Sequence, residues 1–386
     1  MLTTKVGYSN NPNACEAGIE TAKTATEGLK AKVGLLFNSV GYNQKELIKG
    51  IKSVMPDVDI VGCTSSVGII TKDGYFTTET GTVGMITLDD EELKVACYGM
   101  KKGKNARATG QEVALKAIEK AGLDYAPDYF FMSASPAEEE EYIKGIQDVI
   151  GRVPCFGGSA ADNTVEGKWS LFYNEEVFSD GVVVAFFYTS KEITTIYTGA
   201  YRETKDMGII TKLNDVRVLA EIDGVPATDK YKEWRKLDDE AVTGANLLVT
   251  TIESPLGVKD RLGNLTAIRH PMSGNEDKSM NIGANLSIGT AVIRMEATVD
   301  ELIAGAVNTL KELKEECPNA AGYLLVHCGG RRLGIGDRMN EIYEQLKTVA
   351  EDVPFLVVFT FGEYGYGDDQ ANTTGGLMLS FTAFEK

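Results

Sequence analysis

Leu47-Ile48-Lys49-Gly50-Ile51 returns, 142 − 47 = 95 positions later, as Tyr142-Ile143-Lys144-Gly145-Ile146. In the first copy Leu47, Ile48, Ile51, Val54 and Met55 follow helical spacing and make one apolar stripe. In the second, Tyr142, Ile143, Ile146, Val149 and Ile150 occupy the same positions without a gap. The register continues beyond the helix, where Val61-Gly62-Cys63-Thr64-Ser65 aligns with Phe156-Gly157-Gly158-Ser159-Ala160. Gapless agreement over both elements points to internal duplication. A weaker third copy follows: Ile342, Tyr343, Leu346, Val349 and Ala350, and then Val353-Pro354 against Val153-Pro154.

A strand-like run precedes each helix, Val33-Gly34-Leu35-Leu36-Phe37 and Tyr129-Phe130-Phe131-Met132. A pair of β-like runs follows each, 82–88 with 93–98 and 181–188 with 193–197, and short polar turns such as Asp89-Asp90 predict hairpins. The unit therefore reads strand, helix, strand, hairpin. Linking helices are predicted over 106–121, stopped by Gly122, and over 299–313. Residues 207–295 carry short β-like runs, 247–252 among them, broken by Gly, Pro and Asn. Strands joined by hairpins cannot all be parallel. The expected class is α/β of the α+β type, with mixed, largely antiparallel sheets flanked by helices in an αββα layering. The length suggests two domains, 1–201 with repeats 33–100 and 128–201, and 202–386 with the third repeat-like unit at 299–386.

Composition excludes more than it assigns. The net charge of −17 repels phosphate backbones and anionic lipids, so no nucleic-acid partner is expected. The longest apolar run, 181–188, is too short for a membrane span, and the first residues lack a basic and apolar leader pattern, so a cytoplasmic location is expected. Six scattered cysteines without a CxxC pair read as reduced thiols. With only His270 and His327, histidine-built zinc sites and His-relayed hydrolases are poorly supplied, and neither a metal nor a cofactor is expected.

The candidate chemistry lies at strand exits. Val326-His327-Cys328-Gly329-Gly330-Arg331-Arg332 and Phe359-Thr360-Phe361-Gly362-Glu363 each run from apolar residues through small ones to a charge. Arg331 and Glu363 suit a zwitterion or carboxylate, or else they form a structural ion pair. One of the two arginines faces solvent, and the sequence does not say which. Gly62-Cys63-Thr64-Ser65-Ser66-Val67-Gly68 offers amides, hydroxyls and a thiol without a P-loop lysine, or is a plain turn. Its second copy carries Ser159 and Asp162, which would hold an amino group if both loops met at one site. Cys63 is a nucleophile only if a base lies near it, and otherwise a buried thiol. Arg269-His270-Pro271 adds a cationic candidate, whereas Glu138 to Glu141 reads as a solvated first helical turn.

Together these residues resemble the FIST proteins over nearly the whole chain. The N-terminal likeness rests on Val61 to Ser65 and Phe156 to Asp162; the C-terminal one on Leu219 to Ala227 with Tyr231, Ile268-Arg269, Cys328 to Arg332, Glu341 and Phe361 to Glu363. The resemblance implies a sensory module for signal transduction that binds a small ligand, with amino acids proposed, and that reports to a separate output protein. It implies a ligand site at Arg331, Glu363, Arg269, Ser65, Ser159, Asn372, Cys63 and Asp162. The late polar element of the family carries a His-Asn-like pair before threonine. Here it reads Gln370-Ala371-Asn372-Thr373-Thr374, so only Asn372 and Thr374 carry over. A Cys- or Ser-dependent hydrolase or transferase, and a non-catalytic interaction protein, remain the alternatives.

Overall fold

The residues around Gly50 form the helix Gln44–Val54, and those around Gly145 the helix Glu139–Ile150. They belong to a computed structural model that describes residues 1–78 and 80–386. The repeated glycine has a steric cause. A Cβ on Gly50 would stand 2.1 Å from the Cys15 carbonyl oxygen, and one on Gly145 2.0 Å from that of Arg107. Each helix therefore meets its neighbour, Ala14–Thr26 or Ala106–Ala121, at backbone contact. Asn13, Asn43 and Asn105 cap three of these helices with their side chains, and Thr298 closes a capping box with Glu301 on Val299–Glu316.

Three copies of one unit make the body. In the first, strand Thr3–Ser9, a helix, strand Val33–Asn38, a helix and strand Asp59–Thr64 lead into a small hairpin, Ile69–Thr71 with Gly74–Phe76, and then strand Val83–Asp89. The second repeats this order from Lys94–Lys101 to Gly181–Tyr188, with the hairpin Leu171–Tyr173 and Glu176–Phe178. The third begins at Ile193–Thr198 and resumes with Val299–Glu316, Ala320–Cys328, Met339–Ala350 and Phe355–Thr360. It ends with the hairpin Glu363–Tyr366 and Asn372–Gly375 and the strand Leu379–Glu385.

Each unit builds a sheet around one parallel pair: Val33–Asn38 with Asp59–Thr64, Tyr129–Ala134 with Cys155–Gly158, and Ala320–Cys328 with Phe355–Thr360. The other pairings are antiparallel. The hairpins are exchanged in a ring. The first unit's hairpin adds to the third sheet, the second's to the first sheet, and the third's to the second sheet. The strand pairs expected to be hairpins, 83–89 with 94–101 and 181–188 with 193–198, instead lie in different sheets. Their polar linkers carry the chain from one wall to the next, and the sequence signal of a short turn does not report which partner the strand bonds.

The sheets are walls of a three-sided body rather than an αββα sandwich. Their inner faces share one core, in which Phe131 meets Phe37 and Phe156, and Phe156 meets Phe384. Helices cover the outer faces in three separate clusters. Strands buried on both faces read as continuous apolar runs, as 33–38 and 355–360 do. Gly62 and Gly157 recur because the parallel strands press together. Their φ values are +154° and +127°, and a Cβ would lie 1.8 and 2.2 Å from the Leu36 and Met132 carbonyl oxygens.

Residues 202–296 interrupt the third unit, where the first two units have only a short turn. They fold as an eight-stranded antiparallel sheet with its own apolar core. The run 247–252 is helical there, Asn246–Thr250, with the Thr251 hydroxyl bonded back to the Leu247 carbonyl. A run this short does not distinguish the two periodicities.

Candidate functional site

The second parallel strands of the three units end at one place. Ser65 and Ala160 donate N–H to the carbonyls of Asn38 and Ala134, each at 2.9 Å, which shows the two units' exits to be equivalent. The exits then bond one another. Ser66 N–H reaches the Phe359 carbonyl (2.8 Å), Ala161 N–H that of Thr64 (2.9 Å), and Ser159 N–H that of Gly362 (2.7 Å). This ring of loops is the floor of a cavity of about 290 Å³ whose roof is the inserted sheet. Trp169, Val165, Phe361 and Leu333 line it from the body, and Met272 and Ile282 from the insertion.

Its polar groups are few. Arg217, from the insertion, donates to Glu139 at 2.6 Å and also pairs with Glu140. Glu139 is 2% exposed and accepts besides from the Ser159 hydroxyl (2.9 Å) and the Ala137 amide (3.0 Å). Burial raises its pKa, against the pull of Arg217. Burial works against the charge on Arg217, but the two carboxylates hold it protonated. The acidic turn at 138–141 is thus not wholly solvated: its second residue is a wall of the cavity and a tie to the insertion. His270 lines the cavity as a neutral ring, its pKa pushed down to about 4 by burial and its Nε2 3.1 Å from the Leu248 carbonyl. It supplies no cation at neutral pH.

Arg332 differs from the other arginines. It lines the cavity, is half-buried, and donates to the Tyr75 hydroxyl at 3.0 Å, with no carboxylate within ion-pair distance among the described residues. Asn163 and Ser66 also line the cavity. The Asn163 side-chain oxygen accepts from the Val67 amide at 2.8 Å.

None of the eight residues expected at a ligand site lines this cavity. Arg331 is fully buried, donating to the carbonyls of Gly199 (2.5 Å), Leu302 (3.0 Å) and Leu377 (3.4 Å) and lying over the Tyr201 ring. It forms no ion pair with Glu363 among the described residues. Glu363 accepts from the Thr360 hydroxyl (2.8 Å) and the Met378 amide (2.9 Å), and burial pushes its pKa up to about 8. Arg269 is spent on the carbonyls of Ile268, Asn285 and Thr374. Ser65 bonds the Gly68 carbonyl and the Phe359 amide, and Ser159 bonds Glu139 and the Tyr364 hydroxyl. Asn372 clamps Val153 and Cys155, and Cys63 is a buried thiol raised to about 12 by burial, 3.4 Å from the Ser133 hydroxyl. Asp162 gathers the amides of Thr164, Val165, Glu166 and Lys168. Four of the eight nevertheless sit one position from a lining residue: Ser65 by Ser66, Asp162 by Asn163, Arg269 by His270, Arg331 by Arg332.

Among the described residues no helix is long and apolar enough to cross a membrane. The FIST N domain family model matches residues 32–225 and the FIST C domain model residues 227–366. An uncharacterized protein of Methanocaldococcus jannaschii is 25% identical over 293 residues, covering 70% of this chain and 55% of its own length, so the chain spans about half of that curated relative. Among solved structures, cyanuric acid hydrolase from A. caulinodans aligns over 100% of both chains at 9% identity and a TM-score of 0.34. Phosphoribosylformylglycinamidine synthase II from Thermotoga maritima aligns over 99% of this chain and 72% of its own, at 9% identity and a TM-score of 0.23.

Proposed function

The chain belongs to the FIST family, whose domains are sensory modules that bind small ligands for signal transduction, and from that premise we propose that it binds a small carboxylate in the cavity under the inserted sheet. One observation carries the reading. Arg332 is a guanidinium in an apolar-walled cavity with no carboxylate of the described chain to neutralise it, so an anionic group from a ligand completes it. Asn163 and Ser66 add polar groups to the same cavity, and the apolar walls accept an uncharged body such as an amino-acid side chain. Arg217, held between Glu139 and Glu140, ties the insertion to the body at the cavity's edge. The bound state would reach a separate output partner through that tie.

The test is a thermal-shift screen of amino acids and simple carboxylic acids, followed by calorimetry. Arg332→Gln should weaken a binder by about ten- to a hundredfold, the range expected from a charge-assisted hydrogen bond of about 1.5–3 kcal/mol. The melting temperature of the free protein should barely move, because Arg332 makes one hydrogen bond there. Equal affinity in wild type and variant, or binders that all lack an acid group, would sink the reading.

A further inference from the structure

The rings and charges of the cavity together narrow its ligand. Trp169 and Phe361 both line it, and their rings meet edge to face, with centroids 6.2 Å apart and planes at 86°. Both residues are half-buried, so the core does not cover them completely. The indole is fixed by its own bond and by its chain neighbours. Its Nε1 donates to the Ser179 carbonyl (3.0 Å), the Lys168 amide to Asp162 (2.8 Å), and the Ser170 amide to the Thr64 hydroxyl (2.9 Å). The inserted sheet contributes the thioether of Met272. Two half-covered rings and a methionine favour an aromatic guest. Ring pairs gain from edge or offset contact beyond burial itself, and thioether sulfur packs well against rings. At about 290 Å³ the cavity is at the small end for ligand sites, which suits one ring on a short arm.

The charges limit what else that guest carries. Among the described residues Glu139 is the one acid that lines the cavity, and it is 2% exposed. Its Oε1 accepts from the Ser159 hydroxyl (2.9 Å), and its Oε2 from Arg217 (2.6 Å) and the Ala137 amide (3.0 Å). Glu140, next to it, accepts from Arg217 and from the Asn285 amide (2.7 Å). A ligand ammonium would therefore lose its water without gaining a carboxylate, which is costly. Arg332, by contrast, has no acid within ion-pair distance among the described residues and is open to a ligand carboxylate.

We infer that the ligand is an arylalkanoic acid without an amino group, its ring against Trp169 and Phe361 and its carboxylate on Arg332. The inference rests on the carboxylate reading above and narrows it. It separates the ligand from a free aromatic amino acid of the same skeleton, which differs by the one group the cavity does not serve.

Calorimetry on the full chain with four matched probes tests this. 3-Phenylpropionate is the reference. L-Phenylalanine adds the ammonium, propionate lacks the ring, and 3-phenylpropionamide lacks the charge. The reference should bind at least tenfold more tightly than each of the others. Trp234→Phe leaves Trp169 as the sole tryptophan, and its fluorescence should change when 3-phenylpropionate binds. Trp169→Leu should weaken that acid about tenfold and leave propionate unaffected. L-Phenylalanine or propionate binding as tightly as the reference, and losing affinity in Arg332→Gln, would overturn the inference and leave the carboxylate reading standing. The amide binding as tightly as the acid would refute the carboxylate reading itself. No binding of 3-phenylpropionate, or binding that leaves the Trp169 fluorescence unchanged, would also overturn the inference.

Discussion

Arg331 and Arg332 are neighbours with opposite surroundings because one helical residue turns a side chain by about 100°. Arg331 points into the third unit and meets three carbonyls there, while Arg332 points to Tyr75 and the cavity. Glu363, the other charge expected at the site, is buried with Arg331 and Cys328 as its charged and titratable neighbours. Its folded-state pKa lies above the unfolded value of about 4.3. A group raised in this way contributes stability that is complete below about pH 4.3 and is lost as the pH rises through about 8. Glu363→Gln should therefore flatten the fall in urea midpoint between those limits; an unchanged pH slope would show that this carboxyl is not held protonated.

At the scale of elements, the wall of the cavity is a loop that one carboxylate organises. Asp162 is 1% exposed and accepts four backbone N–H groups between 164 and 168, which sets Asn163, Val165 and Trp169 in place. Asp162→Ala should cost about 1–3 kcal/mol, the penalty for unsatisfied buried donors. Hydrogen exchange at 164–168 should accelerate, and ligand affinity should fall although Asp162 never touches the cavity. Protection unchanged in that loop would refute this role. The glycine-rich run after Cys328 illustrates the reverse difficulty. It reads as a loop, yet Gly329–Ile335 is a short helix, with the Cys328 sulfur accepting from the Gly330 amide at its start. Glycine lowers helix propensity, but a Cβ at 329, 330 or 334 would stand 3.3 Å from Ser66, 2.8 Å from Leu377 or 2.5 Å from Ile252, so a larger side chain would crowd these neighbours.

The whole molecule is closed by its exchanged hairpins. A fragment of residues 1–201 would contain two units but would leave Cys155–Gly158 without the hairpin of the third unit, and the hairpin 69–76 without a sheet. Such a fragment should aggregate or stay unfolded by circular dichroism, while the full chain melts in one transition; a soluble, cooperatively melting fragment would contradict the interlock. Chain order alone established a good deal. The repeated helix, its glycine and the strand exits follow from local spacing and sterics, so the units were readable, and four of the candidates, Ser65, Asp162, Arg269 and Arg331, lie one residue from the lining of the cavity. Only the tertiary structure decided which neighbour faces the cavity. A one-residue shift turns a strand side chain to the other face and a helical one by about 100°. That choice depends on what packs against each face, and here the packing partners are strands exchanged between units and a sheet inserted at residues 202–296.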